Sequence, residues 1–112
     1  MIEAELWVSF AAMLRAYGLV AGLDGGAVPE IHATENSVTL AAGSARLDVH
    51  CDLQTGEGNW VLSGAHSSTQ GIFALMPDGR IALDGNRLDL DFAAIDLAAS
   101  LMRDSASAGE DA

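Results

Sequence analysis

The sequence predicts an α+β domain: an N-terminal helix, an antiparallel β-meander of about five or six strands and a C-terminal helix, with both helices on one face of the sheet. Three observations carry this expectation. From Ala45 to Leu53 the residues alternate nearly strictly, with Leu47, Val49, Cys51 and Leu53 on one side and Arg46, Asp48, His50 and Asp52 on the other. That period of two marks a strand with one buried and one wet face. A half-wet strand suits an antiparallel sheet, because all-parallel sheets are usually buried on both faces. The stretches at either end of the strand-rich region carry apolar residues at helical spacing instead.

At about 100° per residue, Ile2, Leu6, Trp7, Phe10, Met13, Leu14 and Tyr17 share one arc of about 140°, opposite Ser9, Ala12, Arg15 and Ala16. A helix over Ile2 to Tyr17 is therefore expected, with Gly18 as its C-cap. Leu19 to Pro29 is glycine-rich and reads as an irregular connection. A first strand is expected over Glu30 to Thr34, with a turn at Asn36 and Ser37. Val38, Leu40 and Ala42 then alternate inward up to a tight turn at Gly43 and Ser44. After the central strand, Gln54 to Gly58 turn the chain into Asn59 to Ser63, where Trp60 and Leu62 face the core. Gly64 to Gly71 has the composition of a loop.

The clearest hairpin pairs Ile72–Met76 with Arg80–Leu83 across Pro77, Asp78 and Gly79, with Pro early and Gly late in the turn. Asp84 and Gly85 reverse the chain again into Arg87–Leu90. Asp91 suits an N-cap, with Leu90 and Ile95 placed as a hydrophobic staple. In the helix from Phe92 to about Arg103, Phe92, Ala94, Ile95, Leu97, Ala98, Ala99, Leu101 and Met102 spread over an arc of about 220°, roughly twice what packing on one sheet requires. This helix is expected to be covered on two sides. Residues 1–104 read as a single domain and residues 105–112 as a disordered acidic tail.

Charge narrows the function classes. Sixteen carboxylates face five arginines and no lysine, a formal net charge of −11. Nucleic-acid binders cluster Lys and Arg to displace phosphate counterions, whereas Arg15, Arg46, Arg80, Arg87 and Arg103 are scattered singly. Neither nucleic acid nor an anionic membrane surface is an expected partner. Without lysine there is no Schiff-base chemistry and no P-loop. No apolar run approaches the roughly 18 residues of a membrane span. The opening MIEAELW has two carboxylates and no basic residue, so no ordinary signal peptide is expected. A lone Cys51 cannot form an intrachain disulfide, and with these features it points to a cytoplasmic protein.

Candidate chemistry is sparse. His50 lies on the wet strand face between Asp48 and Asp52, where a carboxylate orienting the imidazole beside a nucleophile such as Ser63 would make a hydrolytic arrangement. Alternating charge on a wet strand face needs no such cause, and no Gly-x-Ser-x-Gly elbow occurs. Cys51 points to the opposite face from His50, and His32 and His66 stand far apart, so no zinc-ligand spacing exists. Asp84, Gly85, Asn86, Asp89 and Asp91 resemble a calcium loop but put Leu88 at the fifth position and Asp89 at the sixth, where a ligand and a glycine are needed. The glycines Gly22, Gly25 and Gly26 do not make a GxGxxG. No cofactor and no metal are expected.

The sequence thus reads as a non-enzymatic, acidic, cytoplasmic interaction domain that forms a homodimer and engages a protein partner. Trp7, Leu14, Leu97 and Leu101, large residues near the edges of their helical stripes, are the interface candidates. The alternative is a small ligand-binding domain or enzyme using the polar sheet face around His50, Asp48 and Asp52. In size and charge only, the chain is similar to bacterial secretion chaperones, whose second internal helix it lacks; that similarity implies a homodimer. From the charge distribution, titration with a labelled duplex or single strand at physiological salt is expected to show no saturable binding. Saturation below micromolar concentration would contradict it.

Overall fold

The structure, a computed structural model, describes residues 4–24, 29–64 and 68–110. Its elements in chain order are α1 (Ala4–Asp24), β1 (Glu30–Ala33), β2 (Ser37–Ala42), β3 (Ala45–Cys51), β4 (Glu57–Ser63), β5 (Ser68–Leu75), β6 (Arg80–Leu83), β7 (Asn86–Asp89) and α2 (Leu90–Glu110). All strands join in one antiparallel meander in sequence order. The two helices lie side by side on one face of it, giving the expected α+β arrangement. The sheet has seven strands rather than five or six because both four-residue outer segments, β1 and β7, complete a ladder with their neighbours. Among the described residues, no helix is long and apolar enough to cross a membrane.

Register explains why the central alternation becomes a core. Leu40 pairs with Leu47 and Leu47 with Leu62, while Val38 pairs with Val49 and Val49 with Trp60. Residues directly opposite one another share a face, so these rows put apolar side chains under the helices together. Leu47, Val49, Cys51 and Leu62 are buried, and Arg46 and His50 are exposed. Two side chains depart from the simple pattern. Asp48 is half-buried because Thr39 and Arg46 lie against it, and Trp60 is half-buried, its indole lying across Gly71.

That last contact is one of two reciprocal aromatic–glycine pairs across β4 and β5. Gly58 pairs with Phe73 and Trp60 with Gly71. A Cβ on Gly58 would stand 2.3 Å from the Phe73 ring and 2.3 Å from the His50 carbonyl oxygen; on Gly71 it would stand 2.6 Å from the Trp60 indole. Each glycine leaves the space that the opposite ring fills. Phe73 then stacks on Trp7 with ring centroids 6.4 Å apart and planes 8° from parallel, and both rings pack against Phe10. Full burial of each such side chain contributes about 1.5–3 kcal/mol. The Trp7 indole N–H, which would cost about 1–3 kcal/mol if left unpaired, donates to the Glu35 carbonyl at 2.9 Å.

Four sequence expectations are corrected. Gly18 is not a cap: α1 continues to Asp24. A Cβ there would come within 3.0 Å of Leu40 Cδ1, so glycine serves close packing of the helix on the sheet. At α2, the helix begins at Leu90, and the Asp91 carboxylate takes the Phe92 N–H at 3.0 Å from inside the first turn. Its backbone stays helical to Glu110, so the expected end near Arg103 and much of the 105–112 segment fall within it; no strong breaker precedes Gly109. Ser68 to Gly71, loop-like in composition, form the first half of β5 because Trp60 to Ser63 supply a strand to pair with. Ile2, His66 and residues 25–28 lie outside the described residues.

The two tight glycines predict opposite outcomes. In Gly58→Ala, the new methyl meets backbone and a buried ring that cannot move aside, and chemical denaturation should register a loss of about 3 kcal/mol. In Gly18→Ala, a flexible leucine terminus yields and helix propensity improves by about 1 kcal/mol, so the net change should stay small.

Candidate functional site

The residues singled out for catalysis do not form a catalytic constellation. Asp48 Oδ1 accepts a hydrogen bond from Thr39 Oγ1 at 2.8 Å, and Arg46 Nε lies 3.0 Å from Asp48 Oδ2. Both partners of this ion pair are substantially exposed, so it contributes less than about 1 kcal/mol. Asp52 Oδ1 accepts the Gln54 N–H at 2.9 Å, and its own carbonyl accepts the Gly56 N–H, which makes it the anchor of the turn after β3. His50 Nε2 lies 3.3 Å from Asn36 Nδ2. No carboxylate orients its ring among the described residues. Ser63 pairs with Arg46, while His50 pairs with Asn59, so serine and imidazole sit in different rows of the sheet. Among the described residues, no three His, Cys, Asp or Glu side chains come together as metal ligands would.

The four interface candidates are corrected as well. Trp7, Leu14, Leu97 and Leu101 are all buried within the chain. Two helices lying side by side turn the edges of their stripes toward each other, so residues that look peripheral on an isolated helix become central. The exposed large apolar residues are others: Val8 (61%), Leu19, Val20, Phe92 (59%), Ile95 and, on the sheet, Ile72 (70%). Val8, Ala12 and Leu19 fall within about 40° of one another on α1, and Phe92, Ile95 and Ala99 within about 60° on α2. Only part of the wide apolar arc of α2 is covered, by α1 and the sheet. Ala93, Ala94, Leu97, Ala98 and Leu101 are buried in the core, and Phe92 and Ile95 are left in solvent.

A second feature arises from strand lengths. β5 has eight residues and β6 only four. β4 pairs with all of β5 from Ser68 to Ala74, but β6 pairs only with Phe73, Ala74 and Leu75. Beyond them the chain reverses through Asp84 and Gly85, both at positive φ (52° and 91°), as a two-residue hairpin turn requires. Asp84 closes the ladder: its Oδ1 accepts the Ile72 N–H and its own N–H donates to the Ile72 carbonyl, each at 2.9 Å. In an antiparallel strand, alternate residues direct their backbone groups to the same neighbour. Met76, whose N–H reaches the Arg80 carbonyl, and Ile72 face β6. Gln70 and Ser68 therefore face the same way, past the end of β6, where no described residue pairs with them.

Beside this open edge is a concavity of about 740 Å³ lined by Asn59, Gln70, Gly71, Ile72, Asp84 and Gly85. A smaller one of about 330 Å³, bounded by Glu57, Phe73, Ala74 and Ala82, shares Ile72 and Gly85 with it. Exposed Ile72 is thus a ridge between two hollows whose charged lining residues are the carboxylates Glu57 and Asp84. His50 lines neither. The indole N–H of Trp60 is buried next to Gly71 with no hydrogen-bond partner among the described residues. Sequence reading missed this edge because it depends on where β6 stops relative to β5. No short-range pattern marked it, since Ile72 stands between Gly71 and Phe73 and its exposure follows from its place on the Asn59 face of the sheet.

Cys51 completes the inventory. It is fully buried, its Sγ is 3.6 Å from the Asp52 carbonyl oxygen, and its pKa is pushed up to about 11, first by burial and second by the Asp52 charge. Between 9.0 and about 11 the unfolded chain surrenders the thiol proton while the folded chain keeps it, so this contribution to stability is full below that window and lost as pH rises through it. Native Cys51 should resist a thiol reagent at pH 8, and Cys51→Ala should flatten the alkaline decline in unfolding free energy relative to the parent. Rapid labelling without denaturant would contradict the burial. Comparison with models of protein families, with curated proteins and with solved structures finds no match to this chain.

Proposed function

We infer that this chain is a non-enzymatic interaction protein that works as a homodimer in the cytoplasm and engages a further protein partner. The observation that carries the reading is the placement of exposed apolar surface. Val8, Leu19 and Val20 on α1 and Phe92 and Ile95 on α2 project from the helix layer, while among the described residues no carboxylate bonds His50 on the wet sheet face. Solvated large apolar residues gathered on one layer favour association, and two-fold pairing is the commonest way to cover them.

The acidity shapes how such a pair would behave. Two chains of net charge −11 repel each other, so apolar burial must outweigh a long-range penalty that salt screens. Association should accordingly tighten as ionic strength rises, the opposite of a contact held by ion pairs.

Light scattering at micromolar concentration tests the reading. The parent is expected near twice the monomer mass of 11.6 kDa, with the doubly substituted Val8→Glu, Phe92→Glu chain at the monomer mass. Both positions are exposed, so the substitutions leave the core intact; a Trp7 substitution would instead unfold the chain. A parent that stays at 11.6 kDa in high salt contradicts the dimer.

A further inference from the structure

We propose that the open half of the β5 edge, Ser68 to Gly71, is a strand-addition site for an extended, basic segment of another protein. The proposal rests on reading the chain as an interaction protein, and it names the class of partner and the mode of capture.

The two outer edges of the sheet carry the usual protections. β1 is four residues long, follows Pro29 and carries Glu30 and His32; β7 is equally short and carries Arg87 and Asp89. Short length, proline and charge discourage a further strand. The exposed part of β5 (Ser-Thr-Gln-Gly) has neither charge nor proline. The backbone groups of Ser68 and Gln70 face outward there, with no partner among the described residues. A chain laid beside them would continue the path β6 leaves at Asp84, and the hollow of about 740 Å³ provides the room. Backbone pairing of this kind gives affinity, while side chains on alternate positions give specificity.

Charge decides between a partner and a second copy. The carboxylate of Asp84 stands at the end of the open edge, Glu57 lines the adjoining hollow, and the whole chain carries −11. Edge-to-edge pairing of two such chains would oppose their charges. A segment with a basic side chain at its Asp84 end and an apolar one beside Ile72 would meet complementary groups at both places.

The test uses fluorescence anisotropy with the full chain and a labelled six-residue peptide of alternating valine and lysine. It should bind saturably and weaken with salt. The same peptide methylated on its backbone nitrogens keeps charge and side chains but cannot donate, and it should lose about tenfold or more in affinity. A glutamate-for-lysine version should not bind. Gln70→Pro removes an outward N–H and spares the β4 ladder, whose neighbouring rungs belong to Thr69 and Gly71, so it should weaken the parent peptide similarly. Absence of binding overturns the proposal. So does equal binding of the methylated peptide, which would mean charge attraction alone, or of the glutamate peptide, which would remove the basic preference. If Gln70→Pro turns a dimer into a monomer, a second copy occupies this edge and the proposal fails. The methylated-peptide comparison needs only the parent chain, so it stands whether or not Gln70→Pro folds. The helix-borne dimer is measured without peptide, so an intact dimer with no peptide binding sinks the edge proposal alone.

Discussion

The stack of Trp7 on Phe73 joins the layers of this molecule. Phe73 can lie flat over β4 only because Gly58 opposite it has no side chain, and Trp7 can lie on Phe73 only because its indole N–H finds the Glu35 carbonyl at the β1–β2 turn. One ring thereby ties the first helix to strands near both sides of the sheet. Truncating a buried Trp to Ala costs about 3–5 kcal/mol, a large share of the stability of a domain this size. The same contact sets the height of α1 above the sheet. Farther along that helix, Gly18 packs closely on the sheet, where a Cβ would stand 3.0 Å from the flexible end of Leu40.

With that helix fixed, α2 has a defined slot beside it. Its alanines Ala93, Ala94 and Ala98 are buried, and small side chains let two helices approach closely. Close approach turns Leu14, Leu97 and Leu101 inward, and it leaves Val8, Phe92 and Ile95 on the outside. The outward surface of the helix layer is therefore a consequence of how tightly the inner one packs. On the opposite sheet face the two carboxylates beside His50 are engaged locally, Asp48 by Thr39 and Arg46 and Asp52 by its own turn.

The mismatch between β5 and β6 is the other formative constraint. A meander of equal strands would leave open edges only at its two ends. Here β6 turns back after four residues, and the Asp84 carboxylate substitutes for the next rung. An internal strand thereby acquires an edge of its own, flanked by carboxylates and by exposed Ile72. Among the described residues, none pairs with its backbone groups at Ser68 and Gln70.

The sequence alone determined the fold class, the inward and outward faces of β2 and β3, the hairpin at Pro77–Gly79 and the reversal at Asp84–Gly85. All of these are written in short-range patterns: a period of two, a helical period, and turn residues with special dihedral preferences. It also determined the charge. Tertiary structure decided what depends on relative position. Gly18 reads as a helix end until Leu40 is placed against it, and Ser68 to Gly71 read as a loop until β4 offers them a ladder. Trp7, Leu14, Leu97 and Leu101 read as stripe edges until the helices meet. Asp48, Asp52 and Ser63 read as neighbours of His50 until the register is set; Asp48 then bonds Thr39 and Arg46, Asp52 its own turn, and Ser63 lies in another row. Periodicity describes one element at a time; which surfaces remain free is settled by how the elements cover one another.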